Sequence, residues 1–334
     1  MMFKIQALRS LVVTVLLVGL AGSGAYAQKS EKDSKASKKA KAAAQAAKAP
    51  AKMWERVNIR SRDLFDGPGG DRMRPNLSNI KFIKEETGGH NKKYRISDGS
   101  GRIWVAKLGR EARPETAAVR LLWGLGYMTE INYLVPKITI PGKGTFENVR
   151  LEARPDNVDR LEEWSWKDNP FVGTKELNGL KMMMVFLNNW DVLDLQNKVL
   201  LVQTAKGPER HYIVSDLGST LGSLGNNNLP IFYRFGRTTG KPEDYIDSNF
   251  IREYEDGQLK LSYKGKNRGL FKGFTIADGR WLLNLLNELT DKQISDAFRA
   301  AAYSPSDVQT YTRAVRNRIA ELERVTSGQN VAEN

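Results

Sequence analysis

The sequence predicts an α+β protein with a sheet-rich N-terminal half and a mainly helical C-terminal half. Short apolar or alternating runs, separated by turn residues, fill residues 81–153. Longer segments with apolar residues at helical spacing and capping residues at their starts fill residues 279–325. The chain also has 7 Trp, 12 Phe and 11 Tyr, which supply enough apolar surface for a large core.

The N-terminal half contains five predicted strands, with one helix inserted after the third. The strongest strand, RIWVAKL, follows the turn Asp98–Gly101, a residue combination that favours a hairpin. Pro114 and Glu115 suit the first turn of the inserted helix, which spans residues 113–124. The predicted strands are Lys81–Glu86, Tyr94–Asp98, Arg102–Leu108, Tyr133–Ile140 and Glu147–Ala153.

The C-terminal half begins with an apolar helix, followed by two short strands, Lys198–Gln203 and His211–Val214. Residues 219–256 are rich in Gly, Asn and charged side chains, so we predict a long mobile segment there. Thr290 and Ser304 are suitable N-caps for the last two helices. The predicted helices of this half are Lys175–Asn188, Gly279–Leu289, Asp291–Ala302 and Pro305–Val325.

The first 27 residues have the pattern of a cleaved signal peptide. Lys4 and Arg9 precede a nearly pure apolar run over residues 11–20, and Ala25–Ala27 is a small-x-small cleavage pattern. The apolar run is shorter than the roughly 20 residues that span a bilayer, which disfavours an uncleaved anchor. No later segment is apolar for long enough to cross a membrane. We therefore expect a periplasmic or secreted mature protein that begins at Gln28 and has no transmembrane segment.

Residues 28–52 are predicted to form a disordered tether. They contain eight Lys and two acidic residues, and they lack aromatic and branched apolar side chains. Their net charge of +6, with +2 in the signal peptide, leaves +6 for residues 53–334. The folded part therefore lacks the strong basic balance of a nucleic-acid-binding domain, and we expect no nucleic acid partner. The tether itself could hold the protein near an anionic envelope surface.

Between these ends the chain divides into two predicted lobes. A loop-rich lead-in and a sheet-rich N-lobe occupy residues 53–165, and a helical C-lobe occupies residues 166–326. Residues 327–334 are predicted to be a disordered tail.

Several polar or glycine residues lie at the start or end of a predicted strand or helix, and their order along the chain indicates a type of chemistry. This is the chain order of the working parts in protein-kinase-type phosphoryl transfer. In sequence they are Gly88–Gly89 between the first two strands, Lys107 ending the third strand, Glu115 opening a helix, Asp191 with Gln196 and Asn197 after an apolar helix, and Asp216 of Asp-Leu-Gly after a strand.

These residue types suit phosphoryl transfer, which requires charge neutralisation around the transferred group. Lys107 can hold the non-transferred phosphates, and Glu115 can fix that lysine in place. Asp216, with an amide or a second carboxylate, can hold a divalent metal that bridges phosphate oxygens. Asp191 can accept or orient the proton of an attacking hydroxyl. A loop with glycines can approach phosphates closely because no side chain intervenes.

Four runs of the sequence resemble divergent atypical protein kinases, and together they cover about residues 80–222. They are GGHNKKYRISDGSGRIWVAKLG, PETAAVRLLWGLG, FLNNWDVLDLQNKVLL and YIVSDLGSTLG. The chain is similar in style to HipA-like, CotH-like spore-coat and secreted Golgi-type kinases. The resemblance implies a bilobal kinase-like fold, with an antiparallel-sheet N-lobe and a mainly helical C-lobe, that binds ATP and Mg or Mn between the lobes. It implies catalytic roles for Asp191, Lys107 and Glu115, nucleotide contacts from Gly88, Gly89 and Lys107, and metal contacts from Asp216, Asn197 and Gln196.

The sequence departs from the kinase pattern at three places. Asn189–Asp191 (NWD) stands where kinases have His-Arg-Asp. The Asn follows six residues after the Asp instead of five, and Gln196 holds the five-residue spacing. The identity of the metal-binding amide therefore stays open between Gln196 and Asn197, and the carboxylate of Asp194 could contribute a further ligand. The glycine connection has only Gly88–Gly89 in place of the full spaced pattern.

Each of these residues also has a plain structural interpretation, and other chemistries fit less well. Lys107 could be a strand-end lysine that reaches solvent, and Glu115 could simply favour the helix dipole. Two His and no Cys disfavour a zinc site. Residues 236–241 resemble a phosphate loop, but they have three residues between the glycines instead of four, and Pro242 follows the Lys.

Three functional hypotheses follow from the sequence. The first is an exported kinase-like protein that transfers phosphate from ATP to a hydroxyl of an extracytoplasmic acceptor, such as an envelope protein. Because ATP is expected to be scarce outside the cytoplasm, the second is a catalytically inactive, pseudokinase-like scaffold of the cell envelope. The third is a structural envelope protein that binds anionic surfaces through residues 28–52.

Overall fold

The computed structural model describes residue 37 and residues 40–88, 91–225 and 236–327. Its central feature is a five-stranded antiparallel sheet in the order β2-β3-β4-β6-β5, with α2 inserted between β4 and β5. These elements confirm the predicted α+β class and the antiparallel sheet of the first half. Their bounds are β2 Lys81–Glu86, β3 Lys93–Ser97, β4 Ile103–Lys107, α2 Ala112–Gly124, β5 Asn132–Ile140 and β6 Gly144–Ala153.

The two faces of this sheet differ in polarity, because successive side chains of a strand point to opposite faces. One face buries an apolar cluster that includes Tyr94, Trp104 and Leu151. The other face carries Lys107 of β4, which lies opposite Arg150 of β6. The charged face of the sheet is therefore the one that can contribute to a site.

A second sheet has four strands in the order β1-β9-β8-β7, and a third has β10-β11-β12. β8 and β9 form a long antiparallel hairpin in which Asn197 pairs with Val214. The strands are β1 Ala51–Lys52, β7 Val158–Arg160, β8 Asn197–Thr204, β9 Gly207–Val214, β10 Ile251–Glu255, β11 Gln258–Leu261 and β12 Phe274–Thr275.

Helices dominate the rest of the C-terminal half. The hydroxyls of Thr290 and Ser304 accept hydrogen bonds from backbone amides in the first turns of α6 and α7, so both predicted caps are confirmed. No helix in the described ranges is long and apolar enough to cross a membrane. The helices are α3 Lys175–Phe186, α4 Pro242–Ile246, α5 Ile276–Leu286, α6 Asp291–Ala300 and α7 Pro305–Thr326, with short 3₁₀ turns at Ile59–Ser61, Gly67–Gly69, Asp71–Met73, Leu77–Asn79, Asp194–Gln196 and Arg268–Leu270.

The main hydrophobic core crosses the predicted lobe boundary at residue 165. It joins Leu121 and Leu122 of α2 to Met183 of α3 and Val315 of α7. Leu64 of the lead-in segment is buried in the same core. α2 is thus held by the helical half while its first turn faces the five-stranded sheet.

The predicted tether differs from the structure over residues 40–52. Residues 40–48 form a helix, α1, and Ala42, Ala46 and Ala49 are buried against Leu201 of β8. β1 then pairs in parallel with β9. Alanine side chains permit this close approach, and backbone pairing adds hydrogen bonds that composition alone does not indicate. The predicted signal peptide and residues 28–36 lie outside the described residues.

The predicted mobile segment, residues 219–256, also contains regular structure. It includes α4 and β10, and the hydroxyl of the buried Tyr245 donates to the carbonyl of Phe186 at 2.7 Å. Burial of Tyr245, Phe250 and Ile251 orders this part despite its polar composition. Residues 226–235 of the segment and residues 328–334 of the predicted tail lie outside the described residues.

Candidate active site

Lys107, Glu115 and Asp216 lie together although they come from three separate elements. Lys107 Nζ is 2.9 Å from Glu115 Oε2 and 3.1 Å from Asp216 Oδ1. Lys107 ends β4, Glu115 lies in the first turn of α2, and Asp216 follows β9. Lys107 is 2% exposed and Glu115 is fully buried, whereas the Asp216 side chain is 36% exposed. The cluster therefore presents one accessible carboxylate backed by a buried ion pair.

The electrostatics of this cluster favour a charged lysine beside an ionised aspartate. Burial lowers the pKa of Lys107, but the carboxylates of Glu115 and Asp216 outweigh it and raise that pKa above its ordinary value. Burial raises the pKa of Asp216, yet the charge of Lys107 and the Gly218 amide hold it below its ordinary value. The pKa of Glu115 is raised, because burial outweighs the two cations that face it, Arg150 and Lys107.

The Asp-Leu-Gly sequence has a specific structural basis. The backbone amide of Gly218 donates to Asp216 Oδ1 at 3.1 Å and so orients this carboxylate. A Cβ added at Gly218 would lie 2.7 Å from the Cβ of Glu111. Only glycine therefore allows the turn to pack this closely against the start of α2.

Asp191 lies on the polar turn after α3, and two side chains hold its carboxylate. Gln196 Nε2 donates to Asp191 Oδ2 at 2.9 Å, and Lys266 Nζ forms an ion pair with Asp191 Oδ1. The amide of Lys266 also donates to the carbonyl of Trp190 at 2.9 Å, which fixes the 263–267 loop beside Asp191. Lys266 was not predicted from the sequence, because 75 positions separate it from Asp191 and no local motif marks it.

Gln196 and Asn197 have different partners in the structure. The backbone carbonyl of Gln196 accepts from the amides of Ser215 and Asp216, so Gln196 connects Asp191 to the Asp216 turn. Asn197 is fully buried, and its Nδ2 donates to the carbonyl of Trp164 at 3.0 Å. Asn197 Oδ1 has no hydrogen-bond partner among the described residues.

The glycine connection between β2 and β3 is described only in part, because Gly89 lies outside the described residues. Gly88 has a φ of +113°, which favours glycine, and a Cβ there would meet open space. The Asn91 side chain donates to Glu111 Oε2, which is also 3.4 Å from Lys107 Nζ. Asn91 and Glu111, which the sequence analysis missed, thus tie this connection to the lysine.

Four further charged residues adjoin the cluster and were also missed. They are Arg150 and Glu152 of β6, Glu130 before β5, and Arg160 of β7. In β6 these two charges alternate with the apolar Val149 and Leu151, a pattern that ordinarily indicates a solvent-exposed face. Here α2 covers that face, so the side chains are buried.

Two residues, Asp216 and Asn197, carry side-chain oxygens of the kind that bind Mg²⁺ or Mn²⁺. Asn197 begins β8 and Asp216 follows the end of β9, so both lie at the same end of this hairpin. A carboxylate and an unpartnered amide oxygen are hard ligands of the kind these ions prefer. Across the described part of the chain, no group of three or more His, Cys, Asp or Glu side chains has metal-binding geometry.

Comparison with known proteins gives similarity at the level of structure only. No family model matches the chain, and no curated protein matches it. Three similar solved structures are each 10% identical to this chain.

The first is the Helicobacter pylori proinflammatory kinase CtkA, with a TM-score of 0.43 over 76% of this chain and 96% of that one. The Golgi casein kinase with Mn/ADP bound has a TM-score of 0.37 over 78% of this chain and 75% of that one. The Rio2 kinase-ADP/Mg2+-phosphoaspartate complex from Chaetomium thermophilum has a TM-score of 0.30 over 72% of each chain. The chain is therefore similar in fold to kinases, and this likeness by itself carries no argument about its activity.

Proposed function

We propose that the protein binds a metal–nucleotide complex in the cleft between its two larger sheets and transfers phosphate to a hydroxyl acceptor. The observation that carries this proposal is the contact of Lys107 with both Glu115 and Asp216, at 2.9 and 3.1 Å. A charged lysine beside an accessible carboxylate is the arrangement that phosphate and its metal require.

The residues divide into roles by their position. Lys107 would bind the non-transferred phosphates, and Glu115 would hold it there. Asp191, 19% exposed, would accept or orient the proton of the acceptor hydroxyl. Asn91 and Glu111 would keep the β2–β3 connection close enough for its backbone to approach the phosphates.

Asp216 and Asn197 would hold the metal, because Asn197 Oδ1 lacks a hydrogen-bond partner while Gln196 is engaged with Asp191. A bound Mg²⁺ or Mn²⁺ would neutralise negative charge on the phosphates. With such a cation bound, Asp216 would contact the cation, and Lys107 would be available to contact phosphate.

The setting of this activity is part of the proposal. The pattern of residues 1–27 supports export, so we propose a periplasmic or secreted protein whose acceptor is extracytoplasmic and includes proteins of the envelope. Sequencing the N-terminus of protein recovered from the envelope or the medium tests this, with Gln28 expected as the first residue. Full-length protein that stays in the cytoplasm would contradict export.

The test of nucleotide binding is a thermal-shift titration of the mature protein with ATP, alone and with Mg²⁺ or Mn²⁺. Ligand at a hundred times its dissociation constant stabilises the folded state by about 2.7 kcal/mol. Asp216→Asn removes a full charge from the metal position and should weaken metal-dependent binding. Asp191→Asn should leave binding nearly intact and lower turnover by ~10²- to 10⁴-fold. A wild-type protein that binds no nucleotide with either metal would refute the proposal.

A second candidate is a catalytically inactive scaffold, and one observation favours it. Lys107 and Asp216 already form an ion pair with each other, and Lys266 pairs with Asp191. The charges of the site are therefore balanced without a ligand. Tight ATP binding with no phosphate transfer to itself or to envelope extracts would support the scaffold over the enzyme.

A further inference from the structure

The buried carboxylate of Glu115 has two cationic partners at the same oxygen. Lys107 Nζ is 2.9 Å from Glu115 Oε2, and Arg150 Nε is 3.1 Å from that same atom. Arg150 is 4% exposed and Glu115 is fully buried, so water does not screen this contact. Arg150 is therefore a second, buried cation beside Glu115. A Lys–Glu pair of the kinase type consists of Lys107 and Glu115 alone.

Arg150 also begins a chain of contacts that returns to Asp216. Its Nη2 is 2.8 Å from Glu152 Oε2, and Glu152 Oε1 is 3.3 Å from Arg160 Nη1. Arg160 Nη2 donates to Ser215 Oγ at 2.9 Å, and Ser215 precedes Asp216. The contacts form a closed ring through Lys107, Glu115, Arg150, Glu152, Arg160, Ser215 and Asp216.

We propose that Arg150 is a positioning residue of this site: it shares the Glu115 carboxylate with Lys107, so that Lys107 keeps its contact with Glu115 and still reaches Asp216 or a bound phosphate. The part that concerns phosphate rests on the proposed function. A buried carboxylate with a single cation holds that cation strongly, because loss of the partner leaves an uncompensated buried charge. With Arg150 present, Glu115 remains paired when Lys107 moves.

The first test needs no nucleotide and uses the unfolding of the full chain in urea. Lys107→Met and Arg150→Met each leave Glu115 with one cation, whereas the double variant leaves it with none. The unfolding midpoint of the double variant should therefore fall by more than the sum of the two single shifts. Adding Glu115→Gln to all members of the cycle should abolish this excess. Additive shifts would overturn the proposal, whatever the protein binds.

The second test compares ATP with adenosine, which lacks the phosphates that Lys107 would contact. Arg150→Met should weaken ATP binding about tenfold, because Glu115 then holds Lys107 away from the phosphates, and should leave adenosine binding within about twofold. Arg150→Lys keeps one positive charge beside Glu115 and should restore part of the ATP affinity. If Arg150→Met does not fold, Arg150→Lys serves alone, with intermediate weakening of ATP binding expected. Equal weakening of ATP and adenosine, or none, would count against a positioning role.

Arg120→Met is the matched control for removal of a buried arginine. Arg120 lies on α2 like Glu115, but its guanidinium donates to Asn132 Oδ1 and to the Asn132 carbonyl, at 3.1 and 2.6 Å. This variant should lower stability without changing the ratio of ATP to adenosine affinity, and its shift should add to that of Lys107→Met. Failure of the wild type to bind ATP would refute the proposed function, while the unfolding cycle would still decide the role of Arg150.

Discussion

At the scale of single residues, Lys266 is the side chain that most directly governs Asp191. Its ammonium group pairs with Asp191 Oδ1, and it is 35% exposed, so it can also reach a group entering from solvent. In the proposed phosphate transfer, a lysine in this place would hold the Asp191 carboxylate and stabilise charge on the transferred group.

We expect Lys266→Met to lower phosphate transfer by about a hundredfold, the effect of removing one electrostatic stabiliser. ATP affinity should change little, because Lys266 contacts Asp191 and not the Lys107 cluster. Single-turnover rates and ATP titrations separate the two effects. Lys264→Met, at an exposed position of the same loop, is the control and should behave like the wild type. A parallel loss of ATP affinity in Lys266→Met would contradict the assignment.

Gly218 is a residue whose absence of a side chain keeps Asp216 in place. Gly218→Ala would put a Cβ 2.7 Å from the Cβ of Glu111, and overpacking of this kind costs about 1–3 kcal/mol. We expect lower stability in urea unfolding, together with weaker metal-dependent nucleotide binding. Gly269→Ala meets open space and should stay within about 0.5 kcal/mol of the wild type. Equal effects of the two variants would show that Gly218 has no special role.

Glu130 gives the folding stability a defined dependence on pH. Burial, followed by the charge of Glu152, raises its pKa from 4.5 to about 7, against the opposing charges of Arg160 and Arg154. The side chain lines a cavity of about 230 Å³, which Arg62 and His211 also line. The folded chain therefore keeps a proton on Glu130 over a range of pH in which the unfolded chain has released it.

The free energy of unfolding should therefore fall as the pH rises from about 4.5 to about 7, and then level off with respect to this group. Glu130→Gln cannot release a proton and should remove this slope. Urea unfolding of both proteins between about pH 5 and 7.5 tests this pH dependence. The pKa of Glu152 is lowered, so Glu152 contributes a slope of opposite sign, but only at lower pH than this range. An unchanged slope in the variant would exclude Glu130 as the cause.

At the scale of elements, α1 and β1 show how a weakly apolar segment can join a fold. Ala46 is buried against the second sheet, whereas the adjacent Ala47 is exposed. Ala46→Glu would place a charge in that contact and should detach the helix, with faster proteolysis after the lysines of residues 40–48. Ala47→Glu is the matched control and should be cleaved at the rate of the wild type. Equal protease sensitivity would indicate that α1 does not depend on this face.

Some strands and helices were predictable from the sequence, and others were not. β2–β6 and α2 were predictable because each combines strand or helix periodicity with a turn or cap of its own. The burial of Arg150 and Glu152 was not, since alternation marks which residues share a face but not what covers it. α1 and β10 were not predicted, because α1 packs on Leu201 of β8 and β10 is bound by Glu321 of α7, and both partners are distant in sequence.

At the scale of the whole molecule, the centre of the candidate site was predictable, whereas the residues that surround it were not. Lys107, Glu115 and Asp216 could be named from their order along the chain, and the structure brings them together. Asp191 could be named too, but its partner Lys266 belongs to a loop placed only by tertiary packing. α2 shares one hydrophobic core with the C-terminal helices. The lobe boundary predicted at residue 165 therefore does not separate two independent cores.

The pairing of β1 with β9 has a consequence for the time course of folding. Ala51 pairs with Arg210, a partner 159 positions later in the chain, so the N-terminal strand has no place to dock until most of the polypeptide exists. Contacts of such long range close large loops and form slowly. During synthesis β1 would therefore stay undocked and accessible to cellular factors, and its docking beside the strand that leads to Asp216 would be one of the last events of folding.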